Sequence, residues 1–95
     1  MRIEVSGSLE HVERLRAYAE YRVFSQLAAF AHHVKIARVT LSRSNDDRPT
    51  SCAISVELHH GGHIRSRSRG AQPTRAIDSA ARKLAEEAGK QLQTI

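Results

Sequence analysis

The sequence predicts an α+β fold of order β-α-β-β-β-α, a four-stranded mixed sheet with two helices packed on one face. Three observations carry this. Apolar residues recur at helical spacing in two blocks, one from Leu9 to about Ala31 and one after Pro73. They alternate with polar residues in four shorter blocks. Each alternating block has one apolar face, so both helices must cover the same side of the sheet and leave the other to solvent.

Residues 2–6 form the first strand, with Ile3 and Val5 facing one way and Arg2 and Glu4 the other. Gly7 breaks it, and Ser8 suits the N-cap of the following helix. Along that helix Val12, Leu15, Ala19, Val23, Leu27 and Phe30 make a broad apolar stripe, flanked by Tyr18 and Phe24. It spans roughly 34 Å, enough to cross a sheet. His32 and His33 end it, where a cation suits the carbonyl terminus. Over 34–42 the period changes to two, with Ala37, Val39 and Leu41 inward and Arg38, Thr40 and Ser42 outward. A loop of turn formers, 44–49, leads to a strand over 51–59. There Cys52, Ile54, Val56 and Leu58 point in, and Ser55, Glu57 and His59 point out. Gly61-Gly62 signals a hairpin. Pro73 suits the first helical position after a Gln72 cap. Ile77, Ala80, Ala81, Leu84, Ala88 and Leu92 supply the second helix's apolar face, with Arg75, Arg82, Glu86 and Lys90 toward solvent. The long helix between the first two strands implies a right-handed crossover joining parallel neighbours; the last three strands make an antiparallel meander.

The 95 residues, 1–95, are expected to fold as one domain. A net charge of +5 and a pI near 10.1 fit a polyanionic partner. Aromatic residues are only 4% of the chain and Trp is absent, so base stacking on aromatic platforms is poorly supported. The single Cys52 excludes an internal disulfide, and its place in an alternating apolar run points to core packing. With no apolar run near bilayer length and no signal-peptide pattern, a soluble cytoplasmic protein without a membrane partner is expected.

The hairpin leads into His63-Ile64-Arg65-Ser66-Arg67-Ser68-Arg69-Gly70. In a strand, Arg65, Arg67 and Arg69 share one face, while Ile64, Ser66 and Ser68 share the other and are small enough to sit under a helix. Three neighbouring cations repel one another unless an anion is met there. Guanidinium forks match phosphate oxygens, so nucleic acid is the indicated ligand. The competing reading is a solvated edge strand whose charges deter aggregation. Arg75 lies near the row, and Arg2 and Arg38 share its open face, with Glu4 and Glu57 interspersed. Arg82 and Lys83 say less, because basic residues on an exposed helix face are common. Arg14 and Arg16 among Glu10, Glu13 and Glu20 read as intrahelical pairs. His59 and His60, adjacent in a strand, point to opposite faces, so no metal site is expected with His63. Asp46, Asp47 and Asp78 lie in a turn or on a helix with no obvious partner. No catalytic residue, cofactor or enzymatic activity is expected.

The order of elements resembles the ribosome hibernation-promoting factors, also called sigma-54 modulation or ribosome-associated inhibitor proteins. The resemblance covers almost the whole chain: Val5-Ser6-Gly7, Leu15-Arg16, Val39-Thr40-Leu41, Gly61-Gly62-His63-Ile64, and Ala76-Ile77-Asp78 followed by Lys83-Leu84. It implies a protein that binds the small ribosomal subunit near the decoding centre, across the mRNA and tRNA paths, through basic residues on both helices. The matching positions are Arg22, Lys83 and Lys90. Glu86-Glu87 and Gln72-Pro73-Thr74 depart from the family's usual residues. The short form is expected, without the C-terminal dimerisation domain of longer members. The β-β-β-α half is also similar to double-stranded-RNA-binding domains, which favours structured RNA over DNA.

The expected function is therefore translational silencing by occlusion, with the small subunit and its rRNA as partners and no indication of a homodimer. The candidate contact residues are Arg22, Arg38, Arg65, Arg67, Arg69, Arg75, Arg82, Lys83 and Lys90. The alternatives are a structured-RNA binder that does not act on ribosomes, and a protein-interaction module with a basic docking face.

Overall fold

The computed structural model describes residues 1–7, 12–43 and 48–92. Its elements are β1 (Arg2–Gly7), α1 (Val12–Leu27), a 3₁₀ turn (Ala28–His33), β2 (Val34–Ser42), β3 (Thr50–Leu58), β4 (His63–Gly70) and α2 (Pro73–Leu92). The strands lie in the order β1-β2-β3-β4. The β1–β2 pair is parallel and the other two pairs are antiparallel. This is the α+β architecture that the alternating and helical periods predict.

One face of the sheet is the core. Val5, Val39, Leu41, Cys52, Ile54, Val56, Leu58 and Ile64 are all buried, against Ala19, Val23 and Leu27 of α1 and the inner face of α2. Each large aliphatic side chain so buried contributes about 1.5–3 kcal/mol before entropy is counted. Leu15, Tyr18 and Phe30 pack at its margin. The inner face of α2 is rich in alanine, with Ala76, Ala80, Ala81 and Ala88 all buried, so the helix sits close to the sheet. Ser66 fits beneath it and donates a hydrogen bond to the Ala80 carbonyl at 2.8 Å. That contact accounts for the serine at position 66 of β4. Gln72 caps α2 as expected: its carbonyl accepts from Arg75 N at 3.1 Å and Ala76 N at 3.2 Å.

The structure departs from expectation at two boundaries. The first helix does not stay α-helical to residue 31: it tightens into the 3₁₀ turn after Leu27. That turn hands the chain directly to β2 and aims the His33 carbonyl at His59 N, 3.0 Å away. β3 ends at Leu58, and His59 belongs to the turn, because Leu58 N bonds to Gly62 O at 2.8 Å and closes the hairpin. Ser8, the Val12 side chain and loop residues 44–47 lie outside the described residues. In β2 a register shift at Lys35 lets Val34 and Ala37 both face the core.

Two glycines permit close approaches. A Cβ on Gly7 would lie 2.0 Å from the Leu41 carbonyl oxygen, so only glycine lets β1 finish against β2. A Cβ on Gly70 would lie 2.9 Å from Ala76 N, where the chain folds back into α2. Among the described residues no helix is long and apolar enough to cross a membrane.

Candidate nucleic-acid interface

The uncovered sheet face is set by register. One cross-strand row reads Glu4, Arg38, Ser55, Arg65; the next reads Ser6, Thr40, Ala53, Arg67. Arg69 stands one step further along, opposite Ser51. The two halves of this face differ in charge balance. On the β1–β2 side, Glu4 lies 3.3 Å from Arg2 and 3.5 Å from Arg38, and Glu57 lies 3.8 Å from Arg38 and 3.7 Å from Lys35. On β4, Arg65, Arg67 and Arg69 are exposed, and among the described residues none has a carboxylate within ion-pair distance. Exposed pairs of this kind contribute at most about 1 kcal/mol each, but they cancel the local field. The uncompensated positive potential therefore sits on β4.

Between the halves runs a shallow trough of about 490 Å³. Its floor is Thr40, Ala53 and Ser55, and its walls are Arg38 on one side and Arg65 and Arg67 on the other. The outward residues of β3 are small over most of its length, while Arg38 on one side and Arg65 and Arg67 on the other are long. Two strand spacings, roughly 10 Å, separate the walls.

A second group of cations lies across α1 and α2. Arg75, Asp78, Ser79 and Arg82 recur at helical spacing and, with Arg22 and Gln26 of α1, line a cleft of about 410 Å³. Asp78 is the joint between the helices. Its Oδ1 accepts from Tyr18 OH at 2.6 Å and from Arg22 Nε at 2.8 Å. The hydrogen bond to Asp78, reinforced by burial, pushes the Tyr18 phenol above its ordinary range. The expectation that Asp78 has no partner is thus corrected: its partners are on the other helix, 56 and 60 residues away. Arg22 is correspondingly part anchor, with its Nε committed to Asp78.

Of the remaining candidates, Lys83 reaches the β4 edge, its Nζ donating to the Arg67 carbonyl at 3.4 Å, and Lys90 stands 3.8 Å from Glu87. Arg16 makes the expected pair with Glu13, at 2.7 Å, and also donates to the Val5 carbonyl at 2.9 Å, tying α1 to β1. The Arg16 guanidinium holds the Glu13 carboxyl below its ordinary range. Cys52 is buried among apolar side chains, which pushes its thiol up to about 12. Among the described residues no three of His, Cys, Asp and Glu are grouped so as to hold a metal ion.

Sequence reasoning named the arginines but missed the trough and the Asp78 joint. The trough had a signal, since the outward set of β3 runs Ser51, Ala53, Ser55 before it reaches Glu57. Asp78 had none, because its partners are fixed only by how the helices dock.

Fold and surface together define a small α+β protein that presents one sheet face with a floor of small residues and walls of arginine. The chain belongs to the sigma 54 modulation protein / S30EA ribosomal protein family, whose model it matches over residues 3–94. The resemblance to the ribosome-associated hibernation factors is thereby established. Among solved structures it is similar to the N-terminal domain of Thermus thermophilus Protein Y, with 25% identity and a TM-score of 0.78 over 95% of this chain and 98% of that one. It shares its fold with a ribosomal subunit interface protein from Coxiella burnetii, at 15% identity and a TM-score of 0.84 over 98% and 99%. No curated protein matches it in sequence.

Proposed function

We propose that this protein binds the small ribosomal subunit through its rRNA and silences translation by occupying the mRNA and tRNA path. The observation that carries the reading is the row Arg65, Arg67 and Arg69, exposed and, among the described residues, free of carboxylates, in a chain of a ribosome-associated family. Guanidinium groups held on a rigid strand lose little freedom when they meet phosphates, and each can do so bidentately. Arg75, Arg82 and the free end of Arg22 offer a second phosphate contact between the helices, with Lys83, Lys90 and Arg38 at the periphery. No bond is made or broken. A single folded domain blocks the path, and the setting is the cytoplasm.

Co-sedimentation with purified ribosomal subunits across a salt series tests this. Binding to the small subunit should be displaced by mRNA and tRNA. If four phosphates are neutralised, its log–log salt slope should be roughly −3 to −4. Failure to bind the small subunit at low salt overturns the proposal and leaves free structured RNA or an acidic protein as the partner to try.

A further inference from the structure

We infer that the open sheet face seats a single strand of RNA, lying lengthwise over β3 with its phosphates on Arg65, Arg67 and Arg69. The inference deepens the reading that this row meets RNA, by naming the RNA's form.

Four features of the face lead there. Alternate residues of a strand are about 6.8 Å apart, a step comparable to that between successive phosphates of an extended polynucleotide chain. The row lies along one outer strand, so one backbone can follow it. Beside the row, the low floor of Thr40, Ala53 and Ser55 leaves room for sugars and bases, in a trough about 10 Å wide that is too narrow for a duplex. A duplex can touch the arginines but leaves the trough empty. The far wall is Arg38, whose charge is already shared with Glu4 and Glu57. It serves less as a phosphate ligand than as a flat guanidinium on which an unstacked base can lie.

RNA is favoured over DNA by the floor itself. The hydroxyls of Thr40 and Ser55 make no hydrogen bond among the described residues and face the position of the sugars. A 2′-hydroxyl is the group that such a floor can distinguish. No aromatic side chain lines the trough, so with Arg65 and Arg67 on phosphates Arg38 is the one planar group on its walls or floor that a base can stack on.

Fluorescence anisotropy with a labelled oligouridylate, an RNA duplex of the same length and an oligothymidylate tests this. The proteins are wild type, the floor-filling variant Ala53→Ile/Ser55→Val, and Ser55→Glu. The first variant fills the trough with good strand formers and leaves every charge in place. The second sets a carboxylate between Arg38 and Arg65, so the test survives if either variant folds poorly. Wild type should bind the oligouridylate more tightly than the duplex, and either variant should lose about tenfold on the single strand, with the floor-filled protein unchanged on the duplex. Weaker binding of oligothymidylate supports the role of the hydroxyls. The inference is overturned if filling the trough leaves oligouridylate binding intact, or if wild type prefers the duplex. The two proposals fail separately. Small-subunit binding without oligouridylate binding overturns this one alone, and oligouridylate binding without small-subunit binding overturns only the ribosomal reading.

Discussion

Arg38 and Arg65 occupy the same cross-strand row of the same sheet face, two strands apart, and are chemically identical. One is flanked by Glu4 and Glu57; the other has no anion within reach among the described residues. Residue type therefore does not decide which cation is available to a ligand. Register does, by choosing each side chain's neighbours. The β1–β2 half of the face is a nearly neutral lattice, and the β4 half is an unpaid electrostatic cost that a polyanion relieves.

The comparison predicts unequal consequences. Changing Arg65, Arg67 and Arg69 together to Ala should weaken RNA binding by about 10- to 100-fold at low salt and flatten the salt slope by roughly two to three. Arg38→Ala alone should alter affinity by no more than about threefold and move the slope by less than one. If the two proteins behave alike in a salt titration, the division of the face into halves is wrong. The triple variant should melt within about 0.5 kcal/mol of wild type, since exposed side chains away from packing cost little.

A second bracketed arginine extends the test to the helices. Asp78→Ala removes the acceptor of Tyr18 and Arg22 and should cost about 1–2 kcal/mol in denaturant unfolding. It should leave polyanion binding undiminished, because it frees a guanidinium. Reduced binding in a protein that remains folded would instead mark Asp78 as a positioning group for Arg22.

Alkaline pH separates the core from the face. The Cys52 thiol rises from 9.0 to about 12 through burial, so above pH 9 the unfolded chain gives up a proton that the folded chain keeps. Stability is whole below pH 9 and declines as pH rises toward 12, with Tyr18 adding to the decline above 10. Guanidiniums stay charged throughout that range. Urea midpoints should fall from pH 9 upward, and Cys52→Ala should lessen the fall. A flat profile would show that the thiol is not buried as described.

Glu4→Gln with Glu57→Gln releases Arg38 and should raise RNA affinity by a few-fold, steepening the salt slope by about one. The smallest effect belongs to a control that touches neither half. A Cβ at Gly89 meets nothing within 4 Å, so Gly89→Ala should stabilise α2 by up to about 1 kcal/mol with RNA binding unchanged.

Much of this was legible in the residues because the governing patterns are short. The Val34–Ser42 strand announces itself by period two alone. Pro73 after Gln72 marks the start of α2, and three arginines within five residues of β4 share a face whatever the rest of the chain does. What escaped depends on distance along the chain. Glu4 reaches Arg38 only through parallel pairing across an intervening helix, and the trough exists only because small residues of β3 fall between Arg38 on one neighbour and Arg65 and Arg67 on the other. The 3₁₀ end of α1 was hidden for a related reason. An Ala-Ala-Phe-Ala run suits either helix, and the pull of His59 on the His33 carbonyl is not written locally.

The Asp78 joint has a consequence in time as well as in energy. It links positions 56 and 60 residues apart through one carboxylate oxygen, after both helices have docked. Contacts that close such long loops form late on the folding route. An interaction absent from the transition state slows unfolding without hastening folding. Asp78→Ala should therefore speed unfolding more than it slows folding, which a chevron of the two rates would read. Under the occlusion mechanism proposed above, the protein would depend on the lifetime of its folded state more than on its equilibrium stability.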